Sequence, residues 1–245
     1  MSQGYISEFL FHFVGRDILQ KEEQYELLKK IISDGWISFY PHEKDLSFGI
    51  IDINSMSSRK LEEMVNPKCI CFADIPIGDL SLHSSKYSKF GIGFRRDFLI
   101  SKGANPVFYI EKNSTIFKNQ AGTNDLVKLT KNEYYQEYCS KTIWYFLMRY
   151  VGCVEKNSAE KNKNMELNDT WEILKFLVNI FSHLKPWDDS LDESDPKNFY
   201  YEREWRTLNN VDFNLSDIEI ICIPEEFKEK FSRDFPAYKG KVEIV

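Results

Sequence analysis

The sequence is short of long hydrophobic runs. No segment approaches the 18 or so consecutive apolar residues of a spanning helix, and Met1 to Val14 lacks both a basic n-region and a small-residue cleavage site. A cytoplasmic chain without a membrane segment is the expectation. Positive charge is also in deficit: 32 Lys and Arg stand against 38 Asp and Glu, a net charge of −6. That excludes a globally basic nucleic-acid binder, though not a local basic patch. Histidine is scarce, with four single residues at positions 12, 42, 83 and 183, and no two have metal-ligand spacing on one element. The five cysteines are an odd number and scattered, which suits reduced core thiols better than a disulfide framework or a zinc site. No metal is expected. There is no P-loop, no H-E-x-x-H and no G-x-S-x-G, and Gly91-Ile92-Gly93 is only the first half of a dinucleotide-binding glycine motif.

What is present is enough apolar sequence for a core, 42% of 245 residues, and an aromatic content of 15%. Apolar periodicity predicts a helix over 22–34, with Tyr25, Leu28, Ile31 and Ile32 on one face and Gly35 as its stop. Strands are predicted over 8–14, 36–40, 68–74, 90–94, 106–110, 200–208, 219–223 and 242–245. Further helices are predicted over 57–65, from Pro76 to about Ser88, over 95–102, and over 224–231. Residues 124–151 and 170–184 read as helical, joined by the polar stretch 155–168. The expected fold is α+β: one domain over 1–245, with a mixed, largely antiparallel sheet and a helical insertion at 124–184.

Four polar clusters sit inside apolar strands. In Phe11-His12-Phe13-Val14-Gly15-Arg16, alternation sets His12 opposite to both Phe side chains. His12 faces a groove or solvent if the Phe pair faces the core, and lies in the core otherwise. In Cys71-Phe72-Ala73-Asp74-Ile75-Pro76, Asp74 stands where a strand hands over to a helix and suits an N-cap. His83 and Tyr87 follow four residues apart and share a face. Residues 86–102 carry five basic residues against one acid, with Gly91 and Gly93 leaving room for a ligand or another backbone. A phosphate-bearing ligand would suit that patch; a basic turn is the plain alternative. In Tyr201-Glu202-Arg203-Glu204-Trp205-Arg206, alternation puts Glu202, Glu204 and Arg206 on one face, either in cross-strand salt bridges or lining a site.

At these clusters, together with Gly103-Ala104-Asn105-Pro106-Val107 and Leu184-Lys185-Pro186, the chain resembles the AbiGi abortive-infection family over nearly its whole length. The resemblance implies phage defence in a two-gene system, with a cognate toxin or phage component as partner. A second resemblance is to ADP-ribosyltransferases, including DarT-type toxins that modify nucleic acid. It implies NAD as substrate, His12 and Glu204 as catalytic residues, and Arg16, Tyr87, Arg95, Arg96 and Arg206 as the groups that hold the dinucleotide. Three functions therefore stand open: a transferase-like defence enzyme, a non-catalytic antitoxin that binds its toxin, and a nucleic-acid sensor using the basic patch.

Overall fold

A computed structural model describes residues 7–39, 69–84, 87–111, 176, 179–180, 182–192, 195, 198 and 200–245. The expected helix at 57–65, the polar stretch 155–168 and nearly all of the 124–184 insertion lie outside them. The chain divides into two units, one of residues 1–48, 69–107 and 191–245, the other of 49–68 and 108–190.

The first unit is built on a seven-stranded sheet. Its strands are β1 (Phe9–Phe13), β3 (Ile70–Ala73), β4 (Gly91–Arg95), β5 (Asn105–Pro106), β8 (Glu204–Thr207), β10 (Ile218–Ile223) and β11 (Lys241–Ile244), in the order β11-β10-β4-β1-β3-β8-β5. All neighbours are antiparallel except β10 and β11. A two-stranded ribbon pairs β2 (Trp36–Ile37) with β9 (Val211–Asp212). The helices are α1 (Lys21–Asp34), α2 (Leu80–Ser84), α3 (Arg96–Ser101) and α4 (Lys228–Asp234). The fold is therefore α+β with a mixed, mostly antiparallel sheet, as the sequence leads one to expect. In the second unit, β6 (Phe108–Glu111) pairs in parallel with β7 (Leu184–Trp187).

Both faces of the large sheet carry an apolar cluster. On one, Leu10, Val14, Phe72, Ile92, Phe94, Ile221 and Ile223 belong to a buried cluster with Tyr25, Leu28 and Ile31 of α1 and with Phe227 and Phe231. The buried stripe of α1 is the predicted one, and Gly35 closes the helix at φ 70°, a conformation that favours glycine. Each such aliphatic or aromatic side chain contributes roughly 1.5–3 kcal/mol by leaving water. On the other face, Phe11, Ile75, Leu80, Ile220 and Cys222 form a second cluster. A bulge in β10 between Ile218 and Ile220 lets these two residues, two apart, join opposite faces.

The glycines of β4 have a packing reason. A Cβ on Gly93 would stand 2.7 Å from the Phe11 ring and 3.1 Å from Ile220, and one on Gly91 would stand 3.2 Å from the Phe13 ring. The gap that the sequence offers to a ligand or a backbone is filled by two aromatic rings.

Several elements are shorter than predicted. The helix opening at Pro76 is a single 3-10 turn, Ile77–Asp79, followed by the five-residue α2. The run 106–110 splits between β5 and β6, which serve different sheets. Residues Tyr200–Glu202 form a 3-10 turn, and Arg203 takes φ +42° before β8 begins. That positive φ breaks the strand alternation, so Glu202 does not continue the face of Glu204 and Arg206.

Candidate functional site

His12 and Glu204 sit on two strands of the same sheet with β3 between them, so their backbones are roughly 10 Å apart. Register decides where they point. His12 stands opposite Ile92, on the face of Leu10 and Phe94. Glu204 stands opposite Ala73, which stands opposite Phe11, on the other face. The two side chains project from opposite sides of the sheet.

Each is also held by its own partners. The half-buried His12 ring donates from Nδ1 to the Cys71 carbonyl at 3.0 Å and lies 5.8 Å from the Phe72 ring. Burial lowers its pKa from 6.5, partly offset by the bond to Cys71, so the ring is neutral near pH 7. Glu204 is 5% exposed, and its Oε1 accepts the Arg206 Nε–H at 2.6 Å. Burial alone would disfavour the Arg206 charge, but the Glu204 carboxylate and its hydrogen bond raise the guanidinium pKa. A carboxylate and a guanidinium two residues apart on one strand face neutralise each other at that spot.

The state of His12 has a measurable consequence. Its folded pKa lies below the unfolded 6.5, so below that pH the unfolded chain binds a proton that the folded chain excludes. Stability therefore falls with pH below about 6.5, by at most about 1.4 kcal/mol per pH unit, and levels off below the folded pKa. Urea midpoints between pH 8 and pH 5 are expected to drop further in the native chain than in His12→Gln. Equal drops would show that His12 is charged in the fold.

The dinucleotide-holding candidates separate into four groups. Arg16 and Tyr87 meet: the exposed guanidinium lies 4.7 Å from the ring centroid, and Tyr87 stacks on Phe13 and His83 at 6.1 and 5.3 Å. His83 and Tyr87 do meet, but by ring stacking rather than on a common helix face, because Tyr87 lies beyond the end of α2. Arg95 is an exposed residue paired with Asp97 at 3.2 Å. Arg96 is part of a buried node around Asp74, and Arg206 belongs to Glu204.

The Asp74 node is what the sequence conceals. Asp74 does not cap a helix, since the 3-10 turn starts after Pro76 without a side-chain cap. Its Oδ1 accepts the Ser7 N–H at 2.9 Å and lies 3.7 Å from Arg203, while Oδ2 lies 3.3 Å from Arg96. The Asp74 carbonyl accepts two further bonds from Arg203, at 3.1 Å from Nε and 2.7 Å from Nη2. Arg96 also donates to the Ser7 carbonyl, and its guanidinium lies 5.7 Å from the Trp205 ring centroid. One carboxylate that is 6% exposed thus ties the approach to β1, the start of α3 and the approach to β8. Its partners stand 22, 67 and 129 residues away in sequence, beyond any local motif.

No group of three or more His, Cys, Asp or Glu side chains among the described residues could hold a metal ion. No helix among them is long and apolar enough to cross a membrane.

Comparison with known proteins assigns the sequence to a family. Residues 49–240 match the family model described as "Putative abortive phage resistance protein AbiGi, antitoxin". The abortive phage resistance protein AbiGi of Lactococcus lactis subsp. cremoris is 24% identical over 174 residues, which cover 62% of this chain and 70% of that protein. No solved structure matches. The family match takes in Asp74, Tyr87, Arg96, Glu204 and Arg206, while His12 and Arg16 precede it. It spans well over half of the chain, and the chain belongs to the AbiGi family of abortive-infection, phage-resistance proteins.

Proposed function

We propose that this chain is the antitoxin of a phage-exclusion pair and acts by binding its toxin rather than by chemistry of its own. One observation carries the reading: His12 and Glu204, the two residues that an NAD-using transferase site would need together, leave opposite faces of one sheet. Each is engaged in a contact that holds the sheet. The antitoxin description attached to the family model points the same way. On this reading the toxin is a polypeptide encoded beside this gene. The transferase alternative asks a sheet several strands wide to present both residues to one small molecule, and the basic-patch alternative loses Arg95 to Asp97 and Arg96 to Asp74.

The test is co-expression. Growth arrested by the product of the adjoining gene is expected to recover when this chain is present, with the two proteins eluting as one complex. Purified chain is expected to transfer no label from NAD to protein or nucleic acid. Recovery without a complex, or label transfer that Glu204→Gln abolishes, would overturn the reading.

A further inference from the structure

Cys69 and Cys71 are expected as core thiols, but Cys69 is half-buried and Cys71 exposed. One residue separates them, and that residue, Ile70, is 2% exposed and anchored in the core. Alternation therefore turns both thiols to the same side. Their sulfurs are 3.7 Å apart, against about 2.05 Å in a disulfide. Closing that gap requires movement at one end, and Cys69 has it: the ladder between β3 and β8 begins at Ile70 opposite Thr207, one residue later. Cys71 is exposed and Cys69 half-buried, so an oxidant reaches the pair. Arg206 stands directly opposite Cys71, and both sulfurs are close enough to interact electrostatically with its guanidinium. At the Cys71 sulfur the paired Glu204 carboxylate outweighs that guanidinium, so Cys71 stays a thiol. Cys222 provides the contrast: it is fully buried, and burial first, then Glu243, pushes its thiol up to about 12.

We propose that Cys69 and Cys71 form a peroxide-reactive dithiol that closes to an intrachain disulfide. The hydrogen bond between the sulfurs, which either can donate, lets one keep its proton while the other attacks. Cys71 sits in the strand ladder and keeps its proton, its pKa raised first by the bond to Cys69, while Cys69 lies outside the ladder and takes the first attack. The Cys69 thiolate attacks one oxygen of a hydroperoxide. The O–O bond breaks, the leaving oxygen takes a proton, and Cys69 becomes a sulfenic acid. The Cys71 sulfur then attacks the Cys69 sulfur, the S–O bond breaks, and the hydroxyl leaves as water with the Cys71 proton. Two thiols give up two electrons to one peroxide, with water and the corresponding alcohol (a second water for hydrogen peroxide) as products. The one-residue loop makes the bond tight, so a monothiol reverses it readily.

Peptide mass mapping of the full-length purified chain after hydrogen peroxide tests this. The peptide carrying residues 69 and 71 is expected to lose two hydrogens and to regain them with dithiothreitol, at least about tenfold faster than Cys222 reacts. Cys71→Ser is expected to accumulate a dimedone-trapped sulfenic acid on Cys69, and Cys69→Ser to leave Cys71 unmodified at the same dose. No mass change at a dose that oxidises glutathione would overturn the proposal, as would a cross-link from either residue to Cys139, Cys153 or Cys222. Oxidation of Cys71 in the Cys69→Ser chain would overturn the order of attack.

Discussion

Glu204→Ala is expected to destabilise the fold by about 3–5 kcal/mol, because it removes one member of a buried ion pair and leaves the other in place. Glu204 and Arg206 keep only 6% and 16% of their side chains exposed, and the Nε to Oε1 distance is 2.6 Å. In the single variant the Arg206 charge keeps its desolvation penalty and loses this carboxylate. The converse change should be far milder. Glu204→Leu with Arg206→Met replaces both ions by apolar groups of similar volume, and such replacements are often neutral or stabilising. A double-mutant cycle by urea unfolding measures the difference, and a coupling of about 2 kcal/mol or more is expected. A coupling near zero would mean that the two groups act independently.

Asp74→Ala carries the second large effect, again about 3–5 kcal/mol. Here one carboxylate serves a backbone amide and two guanidinium groups drawn from three distant segments. Its removal leaves a buried donor on Ser7 and two cations facing each other across the emptied position. Asp74→Asn retains an acceptor for Ser7 and loses the charge, so about half of the penalty should remain. Hydrogen exchange adds a local readout. The amides of Ser7 and Arg203 should lose protection in Asp74→Ala even under conditions where the core of β4 and β10 keeps its own. Uniform loss across the sheet would show that Asp74 contributes only to global stability.

The parts of this structure that were legible in the sequence are those governed by period and punctuation. Tyr25, Leu28, Ile31 and Ile32 mark α1 because a 3.6-residue helix repeats its buried face, and Gly35 marks its end because only a residue without Cβ turns left-handed there cheaply. The pairing of Glu204 with Arg206 on one face follows from the two-residue period of β8. What stayed hidden depends on strand neighbours. Whether His12 and Glu204 share a cleft is a question of parity: with β3 between their strands, a shift of one residue in register would move either to the other side. Nothing in the two local motifs encodes that parity. Gly91 and Gly93 misled for a related reason, since the rings that fill their space come from β1, some 80 residues earlier. The Asp74 node was missed because an Asp before Ile-Pro is an ordinary capping signal, and its true partners were out of local reach.

The resemblance to the AbiGi family was carried by residues that prove to be structural as well. Asp74 anchors three segments, Gly91 and Gly93 admit Phe13 and Phe11, and the Glu-Arg-Glu-Trp-Arg stretch supplies Arg203 to Asp74 and Arg206 to Glu204. A motif that holds a sheet together marks a family as surely as one that performs a reaction.

The most direct test is phage plating on cells that carry the Glu204→Leu, Arg206→Met chain with its adjoining gene. If the chain works by binding, this variant, folded as judged by its urea midpoint, protects as well as the native protein. A folded variant that gives no protection would contradict the account and return Glu204 to a chemical role.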